Sequence, residues 1–260
     1  LSLKIIKKNE TNILSFIHLK NKFYEHFFNN NAKSALRILD KIDNNFNYSL
    51  WSISMRLIIL RLYFGAEEQK NFLNSIKKIY TTGLMPFLIH RVSLKTDINS
   101  NFNNYTQSLK NHFKDNKYYI GDDLEFFLTY KLLNIEILNI ESFKKILYFE
   151  QKFNYIDLFQ SMSSIIRRLV IKNGDKIFDQ EGFEEFKHIS TLIDLSYEQD
   201  ICVTVFEKIF QNNLYVESND LKNDFNLFTQ INHLLKDLIL LNEDFDRSLN
   251  KLINLITVVL

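Results

Sequence analysis

The stretch Leu50–Tyr80 reads LWSISMRLIILRLYFGAEEQKNFLNSIKKIY. Leu50, Ile53, Leu57 and Leu60 recur at steps of three and four residues, and so do Phe72, Ile76 and Tyr80. That period places them on one stripe of an α-helix, whereas a half-buried strand alternates at every second residue. Between the two stripes lies Gly65, free to take the left-handed backbone conformation on which many helices end. The stretch is predicted to be helix, tight turn, helix, with each helix packed through its apolar stripe.

The same pattern extends outward in both directions. Phe16, Leu19, Phe23 and Phe27 form one stripe, and the break Asn29-Asn30-Asn31 follows, Asn being the residue after Gly that best tolerates a left-handed turn. Later stripes run through Phe127, Tyr130 and Leu133, through Ile165, Leu169 and Ile171, and through Phe225, Phe228, Ile231, Leu235 and Ile239. Strand-like composition is confined to Ile201–Phe206. About twelve helices are predicted in all. Ser2, Asn47 or Ser49, Asp122, Asn154 and Asn219 are expected as N-caps, because their short polar side chains accept from orphan backbone N–H groups. Gly65, Gly83 and Gly174 are expected at helix C-termini, Pro86 in a first turn, and Asn99–Asn104 as an exposed loop.

Composition agrees. With one proline, five glycines and one cysteine in 260 residues, collagen-like chains, flexible linkers and disulfide scaffolds are excluded. A β-sandwich or barrel needs turn residues every 8–12 positions, and Asn alone would have to supply them. The lone Cys202 reads as a small buried hydrophobe. Without a disulfide framework a cytoplasmic location is expected. No uncharged apolar run is long enough to span a bilayer, so no membrane association is expected. The start, Leu1–Lys8, lacks the apolar core of a secretory signal. The chain opens without Met and ends in the apolar run Leu252–Leu260, which suggests a piece of a longer protein.

The net charge of +1 hides an asymmetry. Residues 1–120 carry 18 Lys/Arg against 8 Asp/Glu, a net of +10; residues 121–260 carry 14 against 23, a net of −9. A basic region, 1–100, and an acidic region, 101–260, are read from this crossover. Lys outnumbers Arg by 25 to 7, and only Ala32, Ala35 and Ala66 are alanine. Such usage fits AT-rich codons and hence a bacterial source, and it lowers the weight of any lysine cluster.

Sliding the chain by 34 residues aligns Ile17 with Trp51, Leu19 with Ile53, Phe23 with Leu57 and Phe28 with Leu62. It continues with Ala32 on Ala66, Leu39 on Leu73 and Ile42 on Ile76. In period and in these positions residues 14–82 resemble two degenerate copies of the tetratricopeptide repeat. Glu67–Lys70 lacks the family's alanine and no proline closes either unit. What the resemblance implies is an array of α-α hairpins, a superhelix whose concave face grips a peptide or partner helix. A stable array needs at least about three units, so the remaining chain is expected to continue or cap it.

Motifs for chemistry are scarce. Five scattered glycines provide neither phosphate-loop pattern nor the elbow of a serine hydrolase. Glu185 and His188 have the spacing of two ligands on one helix face, but no other histidine has a Glu three residues before it. No arginine is followed by four to six residues and then His, as a helical RNase centre would require. No catalytic residue, cofactor or metal is expected. The chain is read as a non-enzymatic protein–protein interaction scaffold, in a bacterial defence or toxin-associated assembly. Its partner is expected to be another protein, another part of its own polypeptide or a second copy. Lys22, His26, Arg37, Trp51, Arg56 and Arg61 are the expected contact residues, although Trp51 reads more readily as core. The alternative is an RNA- or DNA-binding array. For that, Lys20, Lys22, Lys77, Lys78, Lys110, Lys114 and Lys117 interleave with Phe23, Tyr24, Tyr80, Phe113, Tyr118 and Tyr119, charge beside stacking surface.

Overall fold

A computed structural model describes residues 1–96, 102–133, 135, 137, 139–173, 183–189 and 192. By internal contacts the chain divides into two units, Leu1–Phe27 with Asn31–Glu198, and Phe28–Asn30 with Gln199–Leu260. Of the second, only Phe28, the last residue of the second helix, and the turn residues Asn29 and Asn30 are described. The expected helix through Phe225–Ile239, the strand-like Ile201–Phe206, Cys202, Gly174 and the Asn219 cap lie outside the described residues.

All regular structure among the described residues is helical. The elements are α1 (Ser2–Lys8), α2 (Glu10–Phe28), α3 (Ala32–Phe46), α4 (Leu50–Ile59), α5 (Ala66–Ile79), α6 (Leu84–Lys95), α7 (Phe102–Asp115), α8 (Asp122–Leu133), α9 (Ile140–Glu150) and α10 (Tyr155–Asn173). A π-helical turn, Leu60–Phe64, prolongs α4, and a 3-10 helix covers Glu184–Ile189. Ten α-helices thus stand where about twelve were expected for the whole chain.

Short polar residues set the boundaries. The Ser49 hydroxyl accepts from Ser52 N–H at 3.1 Å while Ser52 Oγ accepts from Ser49 N–H at 3.2 Å, a reciprocal capping box that starts α4. The side chains of Asn31, Asn139 and Asn154 accept from Ser34, Ser142 and Ile156 N–H in the same manner. Asn30 and Asn47 take positive φ, 59° and 62°, the conformation that glycine would supply elsewhere. Gly65, at φ 95°, separates the π turn from α5. Three expectations need correcting. Gly83 precedes α6 as its N-cap instead of closing α5, whose last turn gives way at Tyr80. Ser2 and Asp122 are the first residues inside α1 and α8, where Asp122 faces the positive end of the helix dipole without capping it. α7 begins at Phe102, so Asn103 and Asn104 are helical and not loop.

α3 opens at Ala32 and α5 at Ala66, thirty-four residues apart. Ile42 and Ile76 are buried alike, but Ala32 is buried and Ala66 exposed, so the second alanine is at no close helix crossing. Within the first unit α4 packs on α3, α5 and α6; α6 packs on α7 and α8; α9 packs on α8 and α10; and α10 meets α1. The first and tenth helices therefore touch, and α10 lies over helices that an open row of pairs would leave uncovered. Three aromatic groups mark the core. Phe16, Phe23 and Tyr24 gather around Trp51, with Phe46 against Phe16; Phe127 stacks on Phe149 and Phe153, and Phe143 meets Phe183 and Phe186.

Candidate functional site

The six expected contact residues do not form one surface of free side chains. Trp51 is half-buried against core aromatics: its ring meets Phe16, Phe23 and Tyr24 edge-on at centroid distances of 5.4, 5.5 and 6.1 Å, and its indole N–H donates to Tyr24 Oη at 3.1 Å. Arg56 is a structural clamp, paired with Asp40 at 2.8 Å and Asp43 at 2.7 Å and lying 5.4 Å from the Phe72 ring centroid, so it ties α3, α4 and α5. Burial first, and Asp40 last, push the Asp43 carboxyl above its ordinary value, while Ser52 and Arg56 oppose them. Arg61 lies half-buried in the π turn, and His26 half-buried on α2; Lys22 and Arg37 are exposed. Of the basic and aromatic set, Lys20, Phe23, Tyr24 and Phe113 are buried. Lys20 donates to Gln160 of α10 at 3.1 Å. Glu185 and His188 fall on the 3-10 helix, not on an α-helix.

A buried polar junction that the sequence did not announce joins α8, α9 and α10 to the start of α4. Lys131 lies 2.6 Å from Glu150 Oε1, and the Ser161 hydroxyl donates to the same oxygen. Lys131 also approaches Ser161 Oγ at 3.3 Å. Asp157 accepts from the first two backbone N–H groups of α4, Leu50 at 2.8 Å and Trp51 at 3.2 Å. The Asn154 amide donates to the carbonyls of Phe46 at 2.8 Å, Asn47 at 3.3 Å and Tyr48 at 3.2 Å. Asn154, just before α10, and Asp157, in its first turn, thus satisfy the orphan ends of α3 and α4. The signal for this was faint: a Lys and a Glu inside otherwise apolar stripes.

The Lys131–Ser161 approach has the residue types of a serine–lysine nucleophile, which needs an unprotonated amine. Burial works to remove the proton from Lys131, but Glu150, then Asp157, hold it, and its pKa rises to about 12. Burial lifts the carboxyls of Glu150 and Asp157, against the pull of Lys131. An ammonium held this firmly is no general base, and Ser161 is itself buried. The junction is an architectural lock. Among the described residues no three His, Cys, Asp or Glu side chains gather as metal ligands.

Two surface features remain. A hollow of about 350 Å³ between α8 and α9 is lined by Asp123, Glu141, Lys144, Lys145, Tyr148 and Phe149. Lys145 bridges Asp123 at 2.9 Å and Glu141 at 3.7 Å across it, exposed pairs of small energetic weight. The other is the corner between α7 and α8. There Tyr118 and Tyr119 stand 94% and 82% exposed, rings edge to face at 5.3 Å. Lys110, Lys114 and Lys117, all exposed, precede them.

Charge sharpens the contrast between the halves. Residues 121–173 carry seven Lys/Arg and seven Asp/Glu, so the whole −9 belongs to residues 174–260. The described helices α1–α10 therefore form a net basic body. No helix among the described residues is long and apolar enough to cross a membrane. No protein-family model matches the chain, and neither a curated protein nor a solved structure is similar to it.

Proposed function

We propose that the chain is a non-enzymatic interaction module, built from tetratricopeptide-like helical pairs, which holds a protein partner at the α7–α8 corner. The observation that carries this reading is the Tyr118–Tyr119 pair. Two adjacent aromatic rings held out into water pack against no core side chain among the described residues. Tyrosine combines a large apolar face with a polar tip at small entropic cost, and for that reason dominates the centres of protein interfaces. The equal spacing of Ala32 and Ala66 at the openings of α3 and α5 supports the repeat component. The contact set moves accordingly, from the α2–α4 residues toward this corner.

The test is affinity capture from the native host with the wild-type chain and a Tyr118→Ala/Tyr119→Ala double variant. A defined protein retained by the first and lost by the second, with unchanged far-UV circular dichroism, is the expected result. A wild-type chain that stays monomeric and retains nothing overturns the reading.

Nucleic acid is the second reading, favoured by the exposed lysines Lys110, Lys114 and Lys117 beside the same two rings. Bases stack on aromatic faces while lysines neutralise the backbone. Titration of a fluorescent oligothymidylate at several salt concentrations decides it. Phosphate contacts give a steep fall of log K with log[salt], and absent binding at low salt removes this reading.

A further inference from the structure

Arg91 is a buried cation whose packing among the described residues brings it no carboxylate. It is 8% exposed, on the α6 face that packs against α7. Phe87, one turn earlier on α6, lies under its guanidinium, 5.3 Å from carbon Cζ to ring centroid. From α7, one turn apart, come Ser108 and His112. Ser108 Oγ accepts from Arg91 Nη1 at a long 3.4 Å, and the His112 ring stacks on Phe87 at 5.2 Å and 26°. Arg91 Nε is sealed from solvent with no acceptor. Among the described residues no carboxylate pairs with Arg91. Buried guanidinium groups are ordinarily matched by an anion, because an unmatched one forfeits its hydration with little return.

We infer that Arg91, with Ser108 and His112, forms a phosphate-binding site where α6 meets α7. The donor set decides the class of anion. A carboxylate has two oxygens and is satisfied by one guanidinium fork. Here a fork is joined by a hydroxyl and by the Nε2 side of an imidazole whose Nδ1 lies 3.5 Å from the Asn116 amide, donors enough for three oxygens of a phosphate. Burial first, then Arg91, lowers the pKa of both His90 and His112, with Lys77 adding to the effect at His90 and Asp115 opposing it at His112. Ser108 is exposed, which gives the anion a route in. The inference stands apart from the choice between protein and nucleic-acid partners, since free phosphate, a phosphorylated protein and a nucleic-acid backbone all present the same group.

Thermal unfolding of the whole chain at fixed ionic strength tests it, with inorganic phosphate replacing chloride. Saturating phosphate is expected to raise Tm by about 2–4 °C. Acetate is expected to raise it less. The shift disappears in Arg91→Gln, shrinks in Ser108→Ala and persists in Lys114→Ala. An equal shift in Arg91→Gln, or none in the wild type, overturns the site. Should Arg91→Gln fail to fold, the backbone amide resonances of wild-type Ser108 and His112 decide. Their saturable movement with phosphate supports the site, and their indifference overturns it. A short oligothymidylate distinguishes the source. An Arg91-dependent shift at far lower concentration than inorganic phosphate assigns the site to a nucleic-acid backbone, and its absence assigns it to another phosphate.

Discussion

Lys131 and Arg91 are both cations withdrawn from solvent in the same body of helices, and they are treated oppositely. Lys131 has Glu150 at 2.6 Å and the Ser161 hydroxyl at 3.3 Å, with Asp157 near enough to help hold its proton. Arg91 has a serine at 3.4 Å and the face of a phenylalanine. Withdrawing a charge from water costs several kcal/mol unless partners return it. The first cation is matched by the chain itself and belongs to architecture. The second meets no carboxylate among the described residues, and so points to an anion outside the fold.

If that contrast is right, removing the two charges should have unlike consequences. Lys131→Met leaves Glu150 buried with Ser161 alone, and is expected to lower unfolding stability by about 3–5 kcal/mol. Adding Glu150→Leu removes the stranded carboxylate, and the double variant is expected to recover most of that loss. Urea denaturation of the two variants measures both. The pair also has a pH signature. The Lys131 pKa is raised in the fold, from 10.5 to about 12. Its contribution is therefore complete below 10.5 and is lost as pH climbs through about 12. Unfolding midpoints of the wild type, relative to the double variant, are expected to fall across that window. A constant difference would show that the pair is not ionised as described.

Much of the matched region could be read from the sequence. The stripes Leu50–Leu60 and Phe72–Tyr80, the Asn29–Asn31 turn, the Ser49 and Asn154 caps and Gly65 all follow from local periodicity and backbone freedom, and each is where it was expected. The junction at Asp157 was not legible, because its partners Leu50 and Trp51 lie more than a hundred positions away. Period alone identifies a buried face without saying which other face covers it. For the same reason Trp51 and Arg56 were readable as contacts, although their partners are Phe16, Phe23, Asp40 and Asp43. Gly83 was placed at the wrong end of its turn because glycine serves either side of a helix break. Tyr118 and Tyr119 were visible only as one more aromatic pair among lysines. Exposure, which periodicity does not give, is what separates them from Phe23 and Phe113.

A smaller effect probes the local signals. Ser49→Ala removes the side-chain arm of the capping box at the start of α4, leaving a buried Ser52 N–H without its acceptor, while the Ser49 N–H still donates to Ser52 Oγ. The expected loss is about 1 kcal/mol. Gly65→Ala meets no steric obstacle, since no atom lies within 4 Å of an added Cβ, so its cost reports the backbone alone. At φ 95° that cost is expected to be about 1 kcal/mol as well. Chemical denaturation of the two single variants and the double variant checks this. Ser49 and Gly65 bracket opposite ends of the same helical segment without a shared partner, so the effects are expected to add.

The smallest effect falls on the other side of the comparison. Methionine reaches nearly as far as arginine and can lie on the Phe87 ring with its thioether, so Arg91→Met keeps the packing between α6 and α7 while removing the charge. A guanidinium that the chain leaves unmatched stabilises the fold little, and its removal ends a desolvation cost. Stability is therefore expected to stay within about 0.5 kcal/mol of the wild type in phosphate-free buffer, or to rise. Burial and Arg91 together lower the pKa of His112. The same substitution is thus expected to raise that pKa, which the pH dependence of the His112 ring resonances in NMR would show. A loss of several kcal/mol, like that expected for Lys131→Met, would mean that Arg91 is matched within the fold after all. The two buried cations would then be alike.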